Sequence, residues 1–562
     1  MNMIKYIYKF AICCLLTSFA GTFVSCEETD SELVAFVEDN QLNTPNDTVY
    51  SLMGIINKMQ VVADRSILLG ELRGELTALT EHANLDLQDI ANFTAGTDNP
   101  YNDARDYYAI IQNCNYFIAN ADTLLMKRGY KVFIKELAVI KTYRAWTYLQ
   151  LAMNYGTVPF FTEPILLEKN ANPDLYPHYD VKQIAEFFIK DLAPYVDTDY
   201  PNYGAINSLN SSKFYIPVRV LLGDLCLWAG KYREAAKFYH DFFTKQGSVY
   251  PVGNSAAKWD SYKFEKVEDN YASLFRGDGD RDLLTLIPME TMEYDGIMSY
   301  LKDVFNSTED NNYFYQATHS KAYDELSQAQ QYALVYTDPV TLLQDTVLAT
   351  DTIHYETEQL KGDLRQYSIF QLRNQPSASS NISSIRQTCR KYESDNVILY
   401  RTQHVYLRFA EALNRAGFPQ AAFAVLKYGL WKDNIEKYIS VEEREEAGDL
   451  LSFSEYNFDR GNTAGIHSRG SGDANADTTY VIPALASKND SILFVETKIC
   501  DEMALETATE GLRFYDLMRI SMHRNDPTFL AAKVASRNGA ANFNQALYSL
   551  LSDNKNWYLP LQ

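Results

Sequence analysis

Apolar residues recur every three to four positions over five long stretches of the chain. This is the spacing of the buried face of an α-helix. Between these stretches the period is lost and polar residues prevail. The pattern therefore predicts a mainly α-helical protein, and the helical stretches are residues 110–125, 135–154, 216–243, 404–428 and 494–520.

Two of the helical stretches share a pattern of small residues. In helix-pair repeats of the tetratricopeptide type, small residues let two helices approach closely, glycine makes the turn, and a large apolar residue fills the remaining gap. The offsets predict such pairs here, although Pro419 stands where the first copy has Tyr232, and chance similarity of two amphipathic helices is the alternative. The matched positions are Gly223, Gly230, Ala235 and Tyr239 in the first copy, and Ala410, Gly417, Ala422 and Leu426 in the second.

The helical stretches are separated by two irregular regions, at about residues 246–395 and 440–490. No Pro/Ser-rich or charged linker divides the chain, so we expect residues 46–562 to form a single domain. Its helical scaffold would span about residues 46–245 and 396–530. Loops carried by a rigid scaffold commonly bind ligands, so the irregular regions are the first places to look for a binding site.

The first 26 residues have the order of a bacterial lipoprotein signal. Lys5 and Lys9 form a basic region, an apolar run follows, and Ser25 precedes Cys26. We expect residues 1–25 to be a signal peptide and Cys26 to carry the lipid anchor. Residues 26–45 would be an acidic linker whose run of acids resembles the surface-export signal of Bacteroidetes lipoproteins. The alternatives are an incidental cysteine in a soluble secreted protein and a merely solvated linker.

Composition excludes several classes of function. The formal charge is −22, so the chain repels phosphate backbones and nucleic acid is not an expected partner. No apolar run long enough to span a bilayer follows the signal. Four further cysteines lie far apart in apolar surroundings without a CxxC motif, so we expect buried free thiols at Cys114, Cys226, Cys389 and Cys500.

Several sequence segments, taken together, resemble the SusD/RagB family of surface nutrient-binding lipoproteins. An aromatic helix at residues 141–151 runs into Asn-Tyr-Gly-Thr-Val-Pro-Phe at residues 154–160. The helix pair at residues 218–239 has the family's alanine-and-glycine turn. Residues 510–517 read Glu-Gly-Leu-Arg-Phe-Tyr-Asp-Leu, like the family's Glu-Gly-x-Arg-aromatic-x-Asp-Leu block. Residues 407–415 and the ending Trp-Tyr-Leu-Pro at residues 557–560 add weaker matches.

The resemblance implies an all-α scaffold of about four tetratricopeptide-like pairs with a large irregular binding region. It also implies a lipid-anchored protein on the outside of the outer membrane, acting with a SusC-like TonB-dependent transporter. The ligand would be an oligosaccharide or an oligopeptide, no bond would be made or broken, and no cofactor would be needed.

In the family, ligand is held by loops after the first helices and by the central insert. The corresponding stretches lie near residues 73–101 and 259–315, where aromatic rings could stack on a ligand and polar groups could hydrogen-bond to it. The candidate contacts are Arg73, Glu75, Asp98, Asn99, Tyr101, Trp259, Tyr262, Tyr294, Tyr313 and Tyr315.

Motifs of known chemistry are absent from the sequence. It contains no HExxH, P-loop, GxGxxG or GxSxG motif and no histidine pair at helical spacing. Residues 278–282 open like a calcium loop, but Leu283 and Met289 replace the glycine and glutamate of an EF-hand. An EF-hand is therefore excluded, and a structural calcium site of another kind stays open.

Six charged residues near the C-terminus recur at helical spacing: Glu502, Glu506, Glu510, Arg513, Asp516 and Arg519. We interpret them as an ion-pair ladder on one helix, each pair contributing about 0.2–0.5 kcal/mol, rather than as catalytic carboxylates. Two rival functions remain: a surface glycosidase or peptidase, and a helical-repeat adaptor or adhesin without transport.

Overall fold

The structure, a computed structural model, describes residues 45–561 except 128, 246–255, 261–262, 272–274, 276–281, 293–295, 339, 350–352, 356–357, 377–382 and 460–462. The predicted signal peptide, the lipidated Cys26, the acidic linker, Tyr262, Tyr294 and most of the calcium-like loop lie outside the described residues.

Helices dominate the described chain, as the apolar period predicts. The α-helices are α1 (Pro45–Glu71), α2 (Leu85–Asn92), α3 (Ala104–Asn120), α4 (Ile134–Tyr155), α5 (Val181–Leu192), α6 (Val218–Trp228), α7 (Tyr232–Lys245), α8 (Leu301–Phe305), α9 (Lys321–Gln328), α10 (Arg365–Ile369), α11 (Thr402–Arg415), α12 (Pro419–Lys427), α13 (Lys432–Tyr438), α14 (Val441–Ala447), α15 (Lys488–Thr507), α16 (Arg513–Arg524), α17 (Pro527–Ala535) and α18 (Gln545–Leu551).

The strands are short and pair two by two, each pair antiparallel. Most lie in the predicted irregular region at residues 246–395. In chain order the strands are β1 (Thr77–Leu79), β2 (Met126–Lys127), β3 (Tyr130–Lys131), β4 (Val158–Pro159), β5 (His178–Tyr179), β6 (Ala205–Ile206), β7 (Leu209–Asn210), β8 (Ala257–Trp259), β9 (Val267–Asp269), β10 (Leu283–Ile287), β11 (Ala317–His319), β12 (Tyr332–Thr337), β13 (Gln344–Ala349), β14 (Ile353–Tyr355), β15 (Glu358–Leu360), β16 (Phe370–Pro376), β17 (Ser383–Cys389) and β18 (Val397–Arg401). Two of these pairs join distant segments, β1 with β11 and β10 with β18.

Packed helix pairs form the scaffold of the described chain, among them α3 with α4, α6 with α7, α11 with α12, and α17 with α18. The predicted tetratricopeptide-like architecture is therefore confirmed. The predicted stretches 216–243, 404–428 and 494–520 each divide into two helices, at Gly230, Gly417 and Gly511. All three glycines have positive φ, which is the conformation that turns the chain back on itself at least cost.

Gly223 explains why α6 and α7 pack so closely. A Cβ at this position would lie 2.3 Å from the Tyr239 ring, which is buried against it. The Tyr239 hydroxyl reaches Asp224 at 2.6 Å, so one ring both fills the space between the helices and makes a buried hydrogen bond. The small-residue pattern in the sequence therefore reports real helix contact.

Gly230→Val should lower the free energy of unfolding by about 1–3 kcal/mol. The cost comes from backbone conformation, since Gly230 has φ +73° while the nearest atom to an added Cβ is the Tyr232 hydroxyl at 3.9 Å. Valine, which is β-branched, is strained at positive φ, whereas Gly230→Asn should cost less. Thermal and urea unfolding of both variants measures the difference. Equal stability of the valine variant and wild type would contradict the turn geometry.

The predicted ion-pair ladder on a single helix is wrong. Glu502 and Glu506 lie on α15, Glu510 follows it, and the remaining three residues lie on α16. Within the predicted set, Asp516 and Arg519 form one same-helix pair at 2.8 Å. The three glutamates instead reach buried cations from other segments, because the turn at Gly511 carries the chain away from its helical path.

These contacts form a buried charge network, defined here as Asp363, Glu502, Glu506 and Glu510 with Arg365, Lys391, Arg401 and Arg469. Arg365 binds Asp363 and Glu502 at 2.8 Å each, and Arg401 binds Glu506 and Glu510 at 2.7 Å each. All eight side chains are buried. The network therefore fixes α15 to the central insert and to β18.

Charge balance in the network is reflected in the pKa values of Glu506 and of His404, which contacts the network at Glu510. Burial would raise the pKa of Glu506, but Arg469, Arg401 and Arg365 outweigh it and hold the pKa at about 2. Burial lowers the pKa of His404 to about 4, although its Nε2 lies 2.6 Å from Glu510. A neutral His404 therefore donates a hydrogen bond to an ionised Glu510.

Two further expectations can be compared with the described chain. Cys114, Cys226, Cys389 and Cys500 are all free and buried, as predicted, and burial raises the pKa of each thiol. Over the part of the chain that the structure describes, no helix has both the length and the apolar character needed to cross a membrane.

Candidate functional site

The two predicted ligand-binding stretches meet at one surface. Strand β1 pairs with β11, with Thr77 opposite His319, which brings the loop after α1 onto the central insert. Thr80 extends this contact, because its N–H donates to the Gln316 carbonyl at 2.8 Å and its hydroxyl to the Tyr315 carbonyl at 2.7 Å. The Asn84 N–H donates to the Gln316 side chain at 3.2 Å. Segments more than 230 residues apart thus share one surface.

The first helix supports the other end of this surface. Asp64 on α1 accepts hydrogen bonds from the Ser299 hydroxyl at 2.6 Å and from the Tyr300 N–H at 2.7 Å. Gln60, one turn earlier, donates to the Pro288 carbonyl at 2.6 Å. Because α1 is packed into the core, these bonds fix the insert to a rigid element.

Residues 306–314 form a compact loop with internal hydrogen bonds. Asn311 donates to the carbonyls of Asp303 and Asn306, at 2.8 and 2.6 Å. The loop closes in a tight turn, where the Phe314 N–H donates to the Asn311 carbonyl at 3.0 Å. Its two central residues, Asn312 and Tyr313, have φ of +52° and +65°. A tyrosine in this conformation is strained, and such strain is typical of functional sites.

Exposed rings gather around this turn. Phe314 packs on His82 with ring centroids 4.3 Å apart, and both side chains are exposed. The Tyr313 ring carries the Arg386 guanidinium over one face, 3.7 Å from the centroid. Tyr315, which follows Phe314, is half-buried, and so is Tyr101, which hydrogen-bonds to Asn84, the residue whose N–H contacts Gln316. We call this surface the aromatic face: His82, Tyr101, Tyr313, Phe314 and Tyr315.

A polar depression of about 400 Å³ adjoins the aromatic face. It begins at Thr80 and Glu81, the two residues before His82. Its other polar side chains include Gln88, Asn92 and Asn538. Amide groups both donate and accept hydrogen bonds, so the depression can bind hydroxyl or peptide groups at the edge of a ligand stacked on the aromatic face.

Arg73 does not belong to this surface. Its prediction as a ligand contact is therefore wrong. Its side chain is fully buried. The guanidinium donates to the Trp557 carbonyl at 3.0 Å and to Asn154, and lies over the Phe514 ring at 4.4 Å. Arg73 therefore ties the first helix to the end of the aromatic helix and to the C-terminal motif. These are structural contacts between segments that carry the family resemblance.

Burial also removes three other predicted contacts from the surface. Glu75 is buried against Arg513, whose Nε lies 3.0 Å from the carboxylate. Trp259 is 3 % exposed, in a small core of its own with Tyr332. Asn99 is 5 % exposed, and its side chain braces the loop by donating to the Asp86 carbonyl at 3.0 Å. These expectations fail because polar and aromatic residues at such positions stabilise the loops internally.

Four predicted residues remain accessible in the structure: Asp98 and Tyr313 are exposed, and Tyr101 and Tyr315 are half-buried. Of the three tyrosines, Tyr313 is the most accessible. Sequence reasoning missed Phe314, although the run Tyr313-Phe314-Tyr315 was a visible signal. It also missed His82 and Arg386, for which one sequence offers no signal, because both meet the turn through tertiary contacts.

A metal site finds no further support in the described residues, where no group of three or more His, Cys, Asp or Glu side chains is arranged to hold an ion. The calcium-like loop at residues 278–282 lies almost entirely outside them. A structural calcium there stays a prediction.

Neither a family model nor a curated protein sequence matches this chain. Solved structures do match it in fold. A SusD superfamily protein from Bacteroides vulgatus has a TM-score of 0.56 at 12 % identity, covering 92 % of this chain and 95 % of its own. A SusD homolog from Bacteroides thetaiotaomicron has a TM-score of 0.54 at 16 % identity, covering 92 % and 94 %.

A third solved structure, from Bacteroides vulgatus, is provisionally described as a sugar-binding protein. Its TM-score is 0.52 at 17 % identity, with coverage of 86 % of this chain and 88 % of its own. All three likenesses extend over most of both chains, so they concern the whole architecture rather than the helix pairs alone. The chain therefore has the fold of the SusD superfamily, and the resemblance found in its sequence is confirmed at the level of the fold.

Proposed function

We propose that this protein is a surface nutrient-binding lipoprotein that captures an oligosaccharide or an oligopeptide and delivers it to a SusC-like TonB-dependent outer-membrane transporter. The observation that carries the proposal is the aromatic face, assembled from the two stretches in which the family resemblance places ligand. It is a binding role without chemistry, held at the cell surface by a lipid on Cys26.

An oligosaccharide is the ligand that the aromatic face fits best. Phe314, packed on the His82 ring, offers flat apolar surface, and Tyr313 adds a hydroxyl beside its ring. Aromatic rings lose little conformational entropy when they order on a ligand, and hydroxyl-rich rims need donors and acceptors such as Gln88 and Asn92. The likeness to a structure provisionally described as sugar-binding agrees with this choice.

Binding of the purified protein to a panel of neutral glycans and short peptides tests the proposal. We expect saturable binding of a neutral glycan that changes little between low and high salt, because stacking is not a charge interaction. A steep loss of affinity with salt would indicate a charged peptide instead. Absence of binding to every member would contradict the proposal.

The same purified protein can be tested for the two alternative functions, an enzyme and a protein-binding adaptor. A surface glycosidase or peptidase would release shorter products from a polymer, so product analysis after prolonged incubation should show none. An adaptor or adhesin would bind proteins without affinity for small ligands. Co-purification with the product of a neighbouring transporter gene would support delivery to a pore.

Cys26→Ala should release a folded protein from the membrane and abolish lipid labelling, because acylation requires the thiol. Metabolic labelling with a fatty acid and fractionation of cells measure both effects. Replacing Glu27, Glu28 and Asp30 by alanine is the companion variant, which should keep the lipid but lose exposure to added protease. Labelling that survives Cys26→Ala would contradict the anchor, and unchanged exposure of the companion would reduce the acidic run to a linker.

A further inference from the structure

A second concave surface lies on the C-terminal helix pairs, formed by α12, α14, the segment 481–483 and the start of α15. Its volume is about 550 Å³, within the range of small-molecule sites. None of its lining residues belongs to the aromatic face or the polar depression. We call it the α14 groove, and the residues used below are Phe423, Tyr428, Tyr438, Glu442, Glu446 and Lys488.

One side of the groove is aromatic. Tyr428 and Tyr438 stack face to face, with centroids 3.7 Å apart and planes inclined by 3°. Phe423 packs edge-on against Tyr428 at 6.2 Å. Within the described chain, the hydroxyls of Tyr428 and Tyr438 make no hydrogen bond, so both are free to bind a ligand group. Val481, Ile482 and Pro483 form an apolar wall.

The other side of the groove is acidic. Helix α14 carries Glu442, Glu443, Glu445 and Glu446 against a single Arg444. Glu442 is exposed and forms no ion pair with any described residue. Glu446 pairs with Lys488 at 3.0 Å, and both side chains are more than half exposed. Such an exposed pair is weak and can exchange partners.

Glu443 differs from the other glutamates of α14, because it connects α14 to α12. It is buried, and its carboxylate accepts a hydrogen bond from the Ala421 N–H at 2.7 Å, at the start of α12. Burial raises its pKa to about 7. The exposed carboxylates at the mouth are therefore those of Glu442 and Glu446, while Glu443 holds two helices together.

We propose that the α14 groove is a second binding site, which takes a cationic peptide segment. An ammonium or guanidinium group would sit between Glu442 and Glu446 and displace Lys488 from Glu446. Its alkyl stem would lie along the apolar wall beside the tyrosine pair, because the Lys437 ammonium already lies over the Tyr438 ring, 4.7 Å from the centroid. Carboxylates beside aromatic rings favour such amphipathic cations. A neutral sugar would cover the carboxylates without compensating their charge, and an anion would be repelled. The proposal does not depend on ligand binding at the aromatic face.

Titration calorimetry with the tripeptide trilysine amide tests this site in the purified protein. We expect saturable binding that weakens as salt rises, and no binding of the same peptide with acetylated side chains. The double variant Glu442→Gln/Glu446→Gln should bind trilysine about tenfold more weakly or not at all. Glu442→Gln alone should also bind trilysine more weakly, and Glu445→Gln is its matched control, since each removes one charge from the same helix and Glu445 lies outside the groove.

Three results would overturn the proposal. Equal loss in Glu445→Gln would mean that trilysine responds to the overall acidic charge, and it would overturn the site. Equal binding of the acetylated peptide, or no saturable binding to wild type, would also overturn it. Melting temperatures should match in all variants, because Glu442, Glu445 and Glu446 are all exposed. Retained glycan binding in the double variant would separate this groove from the aromatic face.

Discussion

Glu506→Gln should lower the free energy of unfolding by about 3–5 kcal/mol, the range for removing one charge from a buried pair. Glu506 has no exposed surface and binds Arg365, Arg401 and Arg469 at 3.2, 2.7 and 3.0 Å. The glutamine keeps the shape of the side chain but removes its charge. The three guanidinium groups are then left with one carboxylate fewer in a region without water to solvate them.

Urea unfolding at neutral pH measures this effect, with Glu445→Gln on the exposed face of α14 as control, expected within about 0.5 kcal/mol of wild type. The difference should also depend on pH. The pKa of Glu506 is about 2 in the folded protein against an ordinary 4.5, so its contribution is complete above pH 4.5 and is lost as pH falls toward 2. A loss below about 1 kcal/mol at neutral pH would contradict a dry, charged network.

Gly511→Ala should cost about 2–5 kcal/mol, because two penalties act at one residue. Gly511 has φ +73°, and a Cβ there would lie 2.5 Å from both the Ile67 Cα and the Ser66 carbonyl oxygen. These are backbone atoms of α1, which cannot rotate away as a side chain can. The reciprocal contact is equally close, since a Cβ at Gly70 would lie 1.8 Å from the Gly511 carbonyl oxygen.

Gly54→Ala is the control, because Gly54 lies on α1, the helix that Gly511 contacts, is exposed, and has no atom within 4 Å of an added Cβ. Alanine in a helix interior is favoured over glycine, so this variant should gain about 0.5–1 kcal/mol. Opposite signs for the two substitutions in thermal unfolding would agree with the structure. Similar small effects for both would show that α1 and the turn at Gly511 are not in contact.

The helical scaffold could be predicted because its signals are local. Apolar period and the offset of Gly223 from Tyr239 depend on residues within a few helical turns. The partners of the C-terminal glutamates could not be predicted, since Arg365 stands 141 residues before Glu506 and meets it only after folding. The prediction treated residues 502–519 as one continuous helix and so paired the glutamates with the wrong cations.

The candidate binding surface, too, could be predicted only in part. The two stretches followed from the family resemblance, and Tyr313, which lies in the second of them, is exposed in the structure. Arg73, Glu75 and Trp259 were expected to contact ligand, because no single sequence distinguishes a polar or aromatic residue that braces a core from one that faces solvent. His82 meets Phe314 through the β1–β11 pairing, and that pairing joins segments with no sequence signal in common.

The most direct test of the proposed function is the affinity of Tyr313→Ala/Phe314→Ala for the glycan or peptide that binds wild type best. Both side chains are exposed, so the variant should melt at the temperature of wild type while its affinity falls at least about tenfold. Tyr456→Ala, which removes a tyrosine that is 90 % exposed elsewhere, should bind as wild type does. Unchanged affinity in the double variant would contradict the assignment of the aromatic face as the ligand-binding site.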